Sequence, residues 1–377
     1  MTPSDYLRAA LLLAQHAHPK DIRPNPFVGA LVVSEEGVIV GEGYHQKAGK
    51  EHAEVLAIND ALTKNANLTT CTLYVTMEPC SHHGKTPPCT DLILQHRIPK
   101  VVIGSMDPNP IVSGANQLAK AGVVVEQLVL TEILEMNSVF NINQSLKRPK
   151  YILKSAITKN GKIADQFGNS KWISNAKSRQ YVHQVLRHHA DAILTTAKTV
   201  ILDNASMNIR IEGEAHQELN VVVIDRKLDL LRNDKSDLNI FYPRKKSKVY
   251  LVSDQDADEK LSADIEIIKV PFINGKCDLT VLSEQLIAKN ICEVLVEAGS
   301  ILNTDLMEAE LIDEIYLFIA TSIVMDDNAI GIFNGNDLNY MLKKFRFELA
   351  GTEYVDDDIL EKYIPERIYK IDLIDFH

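Results

Sequence analysis

The chain has 377 residues and a mass of 42.1 kDa, with 45% hydrophobic and 24% charged residues, so it is too long for one ordinary core and too apolar for disorder. Its formal net charge is −11, and neither side of the Lys147/Arg148 boundary is basic, with 11 basic against 14 acidic residues before it and 29 against 37 after it. That balance argues against nucleic acid as a partner, and no apolar run approaches the roughly 18 residues of a membrane span, so a cytoplasmic protein with neither partner is expected.

In chain order, Ser4 is placed to cap an apolar helix reaching about Ala17, and VGALVV and VIVGEGY flank SEEG as the arms of a β-hairpin, with His45 just beyond the second arm. HAEVLAINDAL has helical spacing, CTLYVTM is β-rich, PCTDLILQHR is helical and KVVIGSM reads as a buried strand. The alternation continues through GANQLAKAG, VVVEQLVL and TEILEMNSVFNI, predicting a layered α/β domain of about five strands. The pattern breaks near SLKRPK, which sets expected domains at residues 1–147 and 148–377. Beyond it come strand YILKSAI, a turn at Asn160-Gly161, helix SRQYVHQVLRHHA, and strands at DAILTT, LNVVVID, KVYLV and IEIIKV. Helix LSEQLIAK, strand EVLVEAG, a helix past Leu302 and strand EIYLFIA complete a second α/β domain, with the charged stretch 232–248 as a surface loop.

The five cysteines, Cys71, Cys80, Cys89, Cys277 and Cys292, are few and odd in number, which fits a reducing compartment and turns attention to metal or catalysis. EHAEV places His52 and Glu54 in the opening turn of a helix, and MEPCSHHGKTPPC supplies Cys80 and Cys89 at the opening of another. Helix N-termini favour negative ligands and lower thiol pKa values. With His52, Cys80 and Cys89 as ligands, tetrahedral zinc keeps one position for a water whose pKa falls towards about 7. Glu54 then serves as the catalytic proton shuttle from that water to the substrate. The order His-x-Glu followed by Pro-Cys and Cys is that of zinc nucleobase deaminases, except that eight residues, SHHGKTPP, separate the cysteines where two are usual. A closed structural zinc site with His82 or His83 as fourth ligand is the alternative reading. An RNA- or DNA-editing deaminase would share the zinc residues but would need a basic groove.

At these residues the chain resembles the bifunctional deaminase/reductase family of riboflavin biosynthesis, whose cysteine loop has the longer form. EPCSHHGKTPPC carries the resemblance together with PNPFVGALVV, GEGYHQKAG, HAEV and MDPNP, and KWIS, DAILTT, TVILD and VEAG extend it through the second half. The resemblance implies a cytidine-deaminase-like three-layer α/β/α domain followed by a dihydrofolate-reductase-like α/β domain. The first would deaminate 2,5-diamino-6-(5-phosphoribosylamino)pyrimidin-4(3H)-one, and the second would use NADPH to reduce the ribosyl group of the product to ribityl. It also implies a small phosphorylated pyrimidine as substrate and a homo-oligomeric enzyme.

By motif position, the resemblance places Asn25, His45, Lys85, Asp107 and Asn109 around the deaminase substrate. In the second domain it makes Lys154, Ser170, Arg187, Met207, Arg210 and Glu297 substrate-facing. Ala156, Trp172, Thr199, Asp203 and the run Gly299, Ser300, Ile301, Leu302 and Asn303 become cofactor-facing. Arg187 and Arg210 suit a phosphate, and the strand-to-helix turn at Gly299 and Ser300 offers free N–H groups to a cofactor phosphate. No G-x-G-x-x-G follows a strand, so a Rossmann reading fails. The chain departs from the family in three places: Thr158-Lys159-Asn160-Gly161 lacks a carboxylate, Asp203-Asn204-Ala205 replaces Asp-Asp-Pro, and the helix before Arg187 is one residue longer. These departures raise the alternative of an active deaminase joined to a weakened reductase.

Overall fold

Local chemistry fixes the first helix. The Thr2 hydroxyl accepts the Asp5 backbone N–H, the Asp5 carboxylate accepts the Thr2 N–H at 2.8 Å, and Pro3 takes the first helical position of α1 (Pro3–Ala14). The cap therefore lies two residues before Ser4, which sits inside the first turn, and the helix stops at Ala14, short of Ala17. The structure, a computed structural model, describes residues 1–82, 87–168, 173–232, 237–257 and 261–368. It forms two compact units, one over Met1–Leu146 and a second beginning at Lys147.

In the first unit, strands β1 (Gly29–Val33) and β2 (Ile39–Tyr44) form the hairpin, and helix α2 (Ala53–Thr63) leads to β3 (Thr72–Val75). Helix α3 (Cys89–Gln95), β4 (Lys100–Ile103), α4 (Gly114–Lys120) and β5 (Val124–Gln127) follow, with α5 (Thr131–Met136) and α6 (Ser138–Leu146) closing the unit. The sheet order is β2-β1-β3-β4-β5, with β1 antiparallel to both neighbours and β3, β4 and β5 parallel. All five residues of β1 are buried because alternate side chains enter different cores. Ala30 and Val32 pack with Ala53, Ala57 and Ile58 of α2, while Leu31 and Val33 pack with Tyr6 and Leu7 of α1. This is the three-layer α/β/α arrangement.

The second unit is built on a nine-stranded sheet. Its strands are β6 (Lys150–Ile157), β7 (Ala192–Thr196), β8 (Asn220–Ile224), β9 (Val249–Ser253), β10 (Ile265–Lys269), β11 (Glu293–Val296), β12 (Ile312–Ile319), β13 (Phe347–Val355) and β14 (Asp358–Pro365). Their order is β10-β9-β8-β7-β11-β6-β12-β14-β13, parallel from β10 to β12 and antiparallel at the β14 and β13 edge. The sequence reading stops at EIYLFIA and misses this last pair. β13 is exposed along most of its length and carries Gly351, so it lacks the alternation that marks a half-buried strand.

Five helical segments bear on the sites of this unit: α7 (Ala176–Tyr181), a π-helical turn over Val182–Arg187, α8 (Ala197–Asp203), α9 (Leu279–Ala288) and α10 (Ser300–Glu308). β11 is buried on both faces: Val294 and Val296 pack with Leu282 and Leu306, and Leu295 packs with Val182, Leu186 and Phe318. Among the described residues no helix is long and apolar enough to cross a membrane.

Candidate active sites

The first site is assembled from two helix openings. His52 is the N-cap of α2 and has extended backbone geometry, which turns its ring back over the helix end, and Glu54 lies in the first turn, 3% exposed. Cys80 follows β3, and Cys89 is the first residue of α3. Two glycines permit the close approach this needs. A Cβ on Gly43 of β2 would lie 2.6 Å from the Ala53 carbonyl oxygen and the Ala57 nitrogen, and one on Gly114 would lie 1.9 Å from the Pro79 carbonyl oxygen.

His52 Nδ1 lies 3.5 Å from Cys80 Sγ and 3.4 Å from Cys89 Sγ, and the three ligand atoms all fall within 4.8 Å of one another. A tetrahedral zinc ion with its usual Zn–S and Zn–N distances sets the N···S separation at about 3.6 Å, so the donors fit that ion in type, number and spacing. His82 is exposed and stands outside this cluster, and His83 lies outside the described residues. Cys80 is the readier thiolate. Hydrogen bonding from the Cys89 thiol pulls its pKa down, burial opposes this, and His52 and the Cys89 backbone N–H at 3.3 Å also favour the charged form. The Cys89 thiol is pushed up by its bond to Cys80 and by burial. His52 is raised, chiefly by its hydrogen bond to Cys80. Burial pushes the Glu54 carboxyl up against the opposing pull of His52, so it can hold a proton nearer neutral pH than an exposed glutamate.

The remaining deaminase residues divide into groups. His45 is buried, with Nδ1 3.1 Å from the Glu51 carbonyl and Nε2 3.1 Å from Asn25 Nδ2. One tautomer satisfies both contacts: Nδ1–H donates to the carbonyl and Nε2 accepts from the amide. Burial lowers the His45 pKa, which favours that neutral ring. Asp107 Oδ1 accepts the Asn109 N–H at 2.8 Å, and Asn109 Oδ1 accepts the Ile111 N–H at 3.2 Å. The Asp107 carboxyl is pushed up to about 6 by burial, with the nearby Glu78 charge adding to the rise. Lys85 lies outside the described residues.

Sequence reasoning misses two residues that hold this frame. Buried Glu78 accepts the Asp107 N–H at 3.2 Å and the Ala115 N–H at 2.9 Å, tying the Asp107 loop and the start of α4 to the segment before Cys80. Asn137 accepts the Phe27 N–H and donates to the Phe27 carbonyl, pinning the loop that carries Asn25. A glutamate directly before Pro-Cys is a visible signal for the first, whereas nothing local marks the second.

The second site is a cavity of about 620 Å³ in the other unit, at the carboxyl ends of β6, β7, β8 and β11. Of the expected residues, Lys154, Ala156, Arg187, Thr199, Asp203, Met207, Glu297, Gly299, Ser300, Ile301 and Leu302 line it. Asn303 does not: it is fully buried and its Nδ2 donates to the Ile332 carbonyl at 3.1 Å. Arg210 lies outside the lining, two residues beyond Asn208, whose carbonyl Arg187 holds at 2.7 Å. Ser170 and Trp172 lie outside the described residues. Sequence reasoning misses Arg179, Lys198 and Phe272, which also line the cavity.

Arg187 and Glu297 form a buried bidentate pair, at 2.6 Å from Nε and 2.9 Å from Nη2. Burial alone would raise Glu297, but the Arg187 guanidinium and Lys154 bring its carboxyl down to about 2. Burial lowers the Lys154 pKa while Glu297 opposes the fall. α10 (Ser300–Glu308) has Gly299 as its N-cap, with no side-chain cap, and Gly299 to Leu302 line the cavity, so its uncapped opening borders the cavity.

Two of the departures place an asparagine in a structural role away from the cavity lining, although Asp203 and Ala205 on either side of Asn204 do line it. Asn160 Nδ2 donates to the Val324 carbonyl at 2.9 Å while its Oδ1 accepts the Val324 N–H at 3.2 Å, a two-way clamp no aspartate could make. Asn204 takes the left-handed conformation that ends α8, and its Oδ1 accepts the Asn239 N–H at 2.8 Å. The stretch before Arg187 contains the π-helical turn Val182–Arg187.

Residues 1–105 match the family described as the cytidine and deoxycytidylate deaminase zinc-binding region, and residues 149–360 match the RibD C-terminal domain. The chain is 36% identical over 371 residues to the riboflavin biosynthesis protein RibD of Actinobacillus pleuropneumoniae, covering 97% of this chain and 96% of that protein. It is 35% identical to RibD of Aquifex aeolicus, covering 93% and 96%, and 32% identical to RibD of Escherichia coli, covering 94% and 97%. Its fold matches the crystal structure of a diaminohydroxyphosphoribosylaminopyrimidine deaminase/5-amino-6-(5-phosphoribosylamino)uracil reductase from Thermotoga maritima, with a TM-score of 0.82, 32% identity, and 96% and 98% of the two chains covered. The first unit thus has the cytidine-deaminase-like fold and the second the dihydrofolate-reductase-like fold.

Proposed function

The chain belongs to the RibD family, the bifunctional deaminases and reductases of riboflavin biosynthesis, and on that premise we propose a role for each site residue. Residues 1–147 form the deaminase domain, which acts on 2,5-diamino-6-(5-phosphoribosylamino)pyrimidin-4(3H)-one, and 148–377 form the reductase domain, which converts the ribosyl group of the deaminated product to ribityl. The observation that carries the deaminase assignment is the His52, Cys80 and Cys89 cluster, with the buried Glu54 carboxyl two residues from its histidine.

Those three residues hold zinc, which supplies Lewis acidity and lowers the pKa of a water bound to it. Glu54 accepts a proton from the attacking water and delivers it to the pyrimidine ring nitrogen as the C–O bond forms, then carries the remaining hydroxyl proton to the amine, which leaves as ammonia as the C–N bond breaks. Asn25 and the neutral His45 it supports orient the pyrimidine, with Asp107 and Asn109 on the opposite loop and Lys85 in the cysteine loop. In the reductase, NADPH supplies the hydride, and the N-terminus of α10 receives a cofactor phosphate. Ala156, Thr199, Asp203 and Gly299 to Leu302 face the cofactor. Lys154 and Glu297, held in register by Arg187, face the ribose, with Met207 beside them. Arg187 is committed to Glu297 and to the Asn208 carbonyl, and Arg210, at the edge of the same segment, is assigned to the substrate phosphate.

Incubation of the full chain with the diaminopyrimidine phosphate separates the two activities. Without NADPH the deaminated ribosyl compound accumulates, and with NADPH the ribityl compound forms. Glu54→Gln keeps about one zinc per chain, loses deamination by at least about 100-fold, and still reduces the deaminated substrate. A variant that deaminates at the parental rate would overturn the role of Glu54.

A further inference from the structure

Arg210 of the reductase has no carboxylate bonded to it among the described residues, and it is anchored through its backbone: its N–H donates to His183 Nδ1 at 3.1 Å. His183 is 9% exposed and belongs to the same π-helical turn as Arg187. The two side chains grip one short segment at two points, Arg187 Nη1 at the Asn208 carbonyl and His183 at the Arg210 N–H. That segment needs holding, because Met207 at its start sits at φ +45°, a left-handed conformation costly for a side-chain-bearing residue.

We propose that the π-helical turn Val182–Arg187 is a bracket for the segment Met207–Arg210, and that His183 is a positioning residue that aims Arg210 at the substrate phosphate. In an α-helix, residues four apart lie about 40° out of line, whereas the wider π turn changes that angle and makes room for one more residue. In this turn both His183 and Arg187 lie on the side facing Met207–Arg210. The ring is held neutral for this task, since burial and the Arg187 and Arg210 charges bring its pKa down to about 3. Nδ1 is the acceptor for the Arg210 N–H, so the ring proton sits on Nε2. Arg210 Nη2, 3.4 Å from Nε2, then has no acceptor there and keeps its donors for an outside anion.

This inference rests on Arg210 binding the substrate phosphate, so the test varies both residues in the full-length enzyme. The readout is steady-state reduction of the deaminated phosphoribosyl substrate. His183→Asn places an oxygen acceptor near the position of Nδ1, whereas His183→Gln places it near Nε2. The glutamine variant is expected to raise KM for that substrate about three- to tenfold with little change in kcat, as loss of one neutral hydrogen bond would. KM for NADPH and the deaminase rate stay at parental values, and the asparagine variant stays near the parental KM. Arg210→Ala raises the same KM, and adding His183→Gln to it raises KM no further. If Arg210→Ala raises KM while the glutamine variant behaves as parent, or if asparagine is no better than glutamine, the positioning role of His183 is wrong and the phosphate reading stands. If Arg210→Ala leaves KM unchanged, the phosphate reading fails and this inference with it.

Discussion

Glu297 just beyond β11 and Arg187 at the end of the π-helical turn meet through two parallel hydrogen bonds, both partners nearly excluded from water. A buried pair of this kind is weak evidence of net stabilisation over an apolar pair, but removing either partner strands a buried charge. It also makes the reductase domain sensitive to acid.

The Glu297 carboxyl titrates at about 2 in the folded chain against 4.5 for the free group. A depressed carboxylate contributes stability that is fully present above its unfolded pKa and is lost as pH falls through its folded one. The difference corresponds to about 3 kcal/mol, spread over the window from about pH 4.5 down to about pH 2. In Glu297→Gln the reductase domain should be destabilised at neutral pH by a similar amount, and its stability should vary less with pH inside that window. Urea unfolding followed at several pH values measures this. Parallel curves for parent and variant would show that Glu297 is not the group responsible.

Removal of metal should divide the two activities. His52, Cys80 and Cys89 are in one domain and the cavity proposed for NADPH is in the other, so a zinc chelator is expected to abolish deamination and leave reduction of supplied deaminated substrate within about twofold. Cys80→Ser should mimic the chelator, because an alcohol does not give up its proton as the thiol does at that helix opening. Acid should also release the metal by protonating His52 and the thiolates. Zinc content by mass spectrometry beside the two rates provides the check, and retention of full deamination in metal-free protein would refute the zinc assignment.

The two sites differed in how far they could be read from residues alone. His52-x-Glu54 opens α2 and Cys89 opens α3, both helices that hydrophobic spacing reveals, and Cys80 lies in the loop after β3, so the proposed deaminase ligands are local signals that happen to converge. The reductase cavity gathers Lys154 from β6, Glu297 from beyond β11, Arg187 from the π-helical turn and Met207 from a loop. No periodicity links those positions, and only the resemblance assembled them. The same reason hid the partners of Glu78, Asn137 and His183, which lie 27 to 110 residues away in sequence. The helix beyond α7 read correctly as helical, but a π turn has no composition signature of its own.

Asn160 offers a test of whether a departure from the family pattern is damage or local adaptation. Its amide both donates to and accepts from the Val324 backbone and accepts from the Thr158 hydroxyl at 2.7 Å. Asn160→Asp restores the usual carboxylate but places an acceptor against the Val324 carbonyl. A loss of about 1 kcal/mol is expected for this exposed site, with kcat for reduction changed by less than about threefold because Asn160 is absent from the cavity lining. A large gain in kcat would instead mean that the carboxylate was missed by the reaction.

Gly43 sets the distance between β2 and the helix opening that carries His52 and Glu54. A methyl group there has no free space, since the three nearest atoms, Ala53 O, Ala57 N and Leu56 Cβ, all lie 2.6 Å from the added carbon and two of them are helix backbone. The helix must move as a unit to relieve the contact, so Gly43→Ala should cost about 1–3 kcal/mol, the usual range for overpacking. The displacement falls on the first turn of α2, where a shift of even about 1 Å in a reacting group can cost about 100-fold in rate. Deamination should therefore drop steeply while reduction of supplied deaminated substrate is retained. Gly122→Ala is the control: its added Cβ meets nothing within 4 Å, so its cost comes from the +90° φ alone and its effect on deamination should be small. Equal loss of deamination in the two variants would mean that backbone strain, and not the strand-to-helix contact, limits the site.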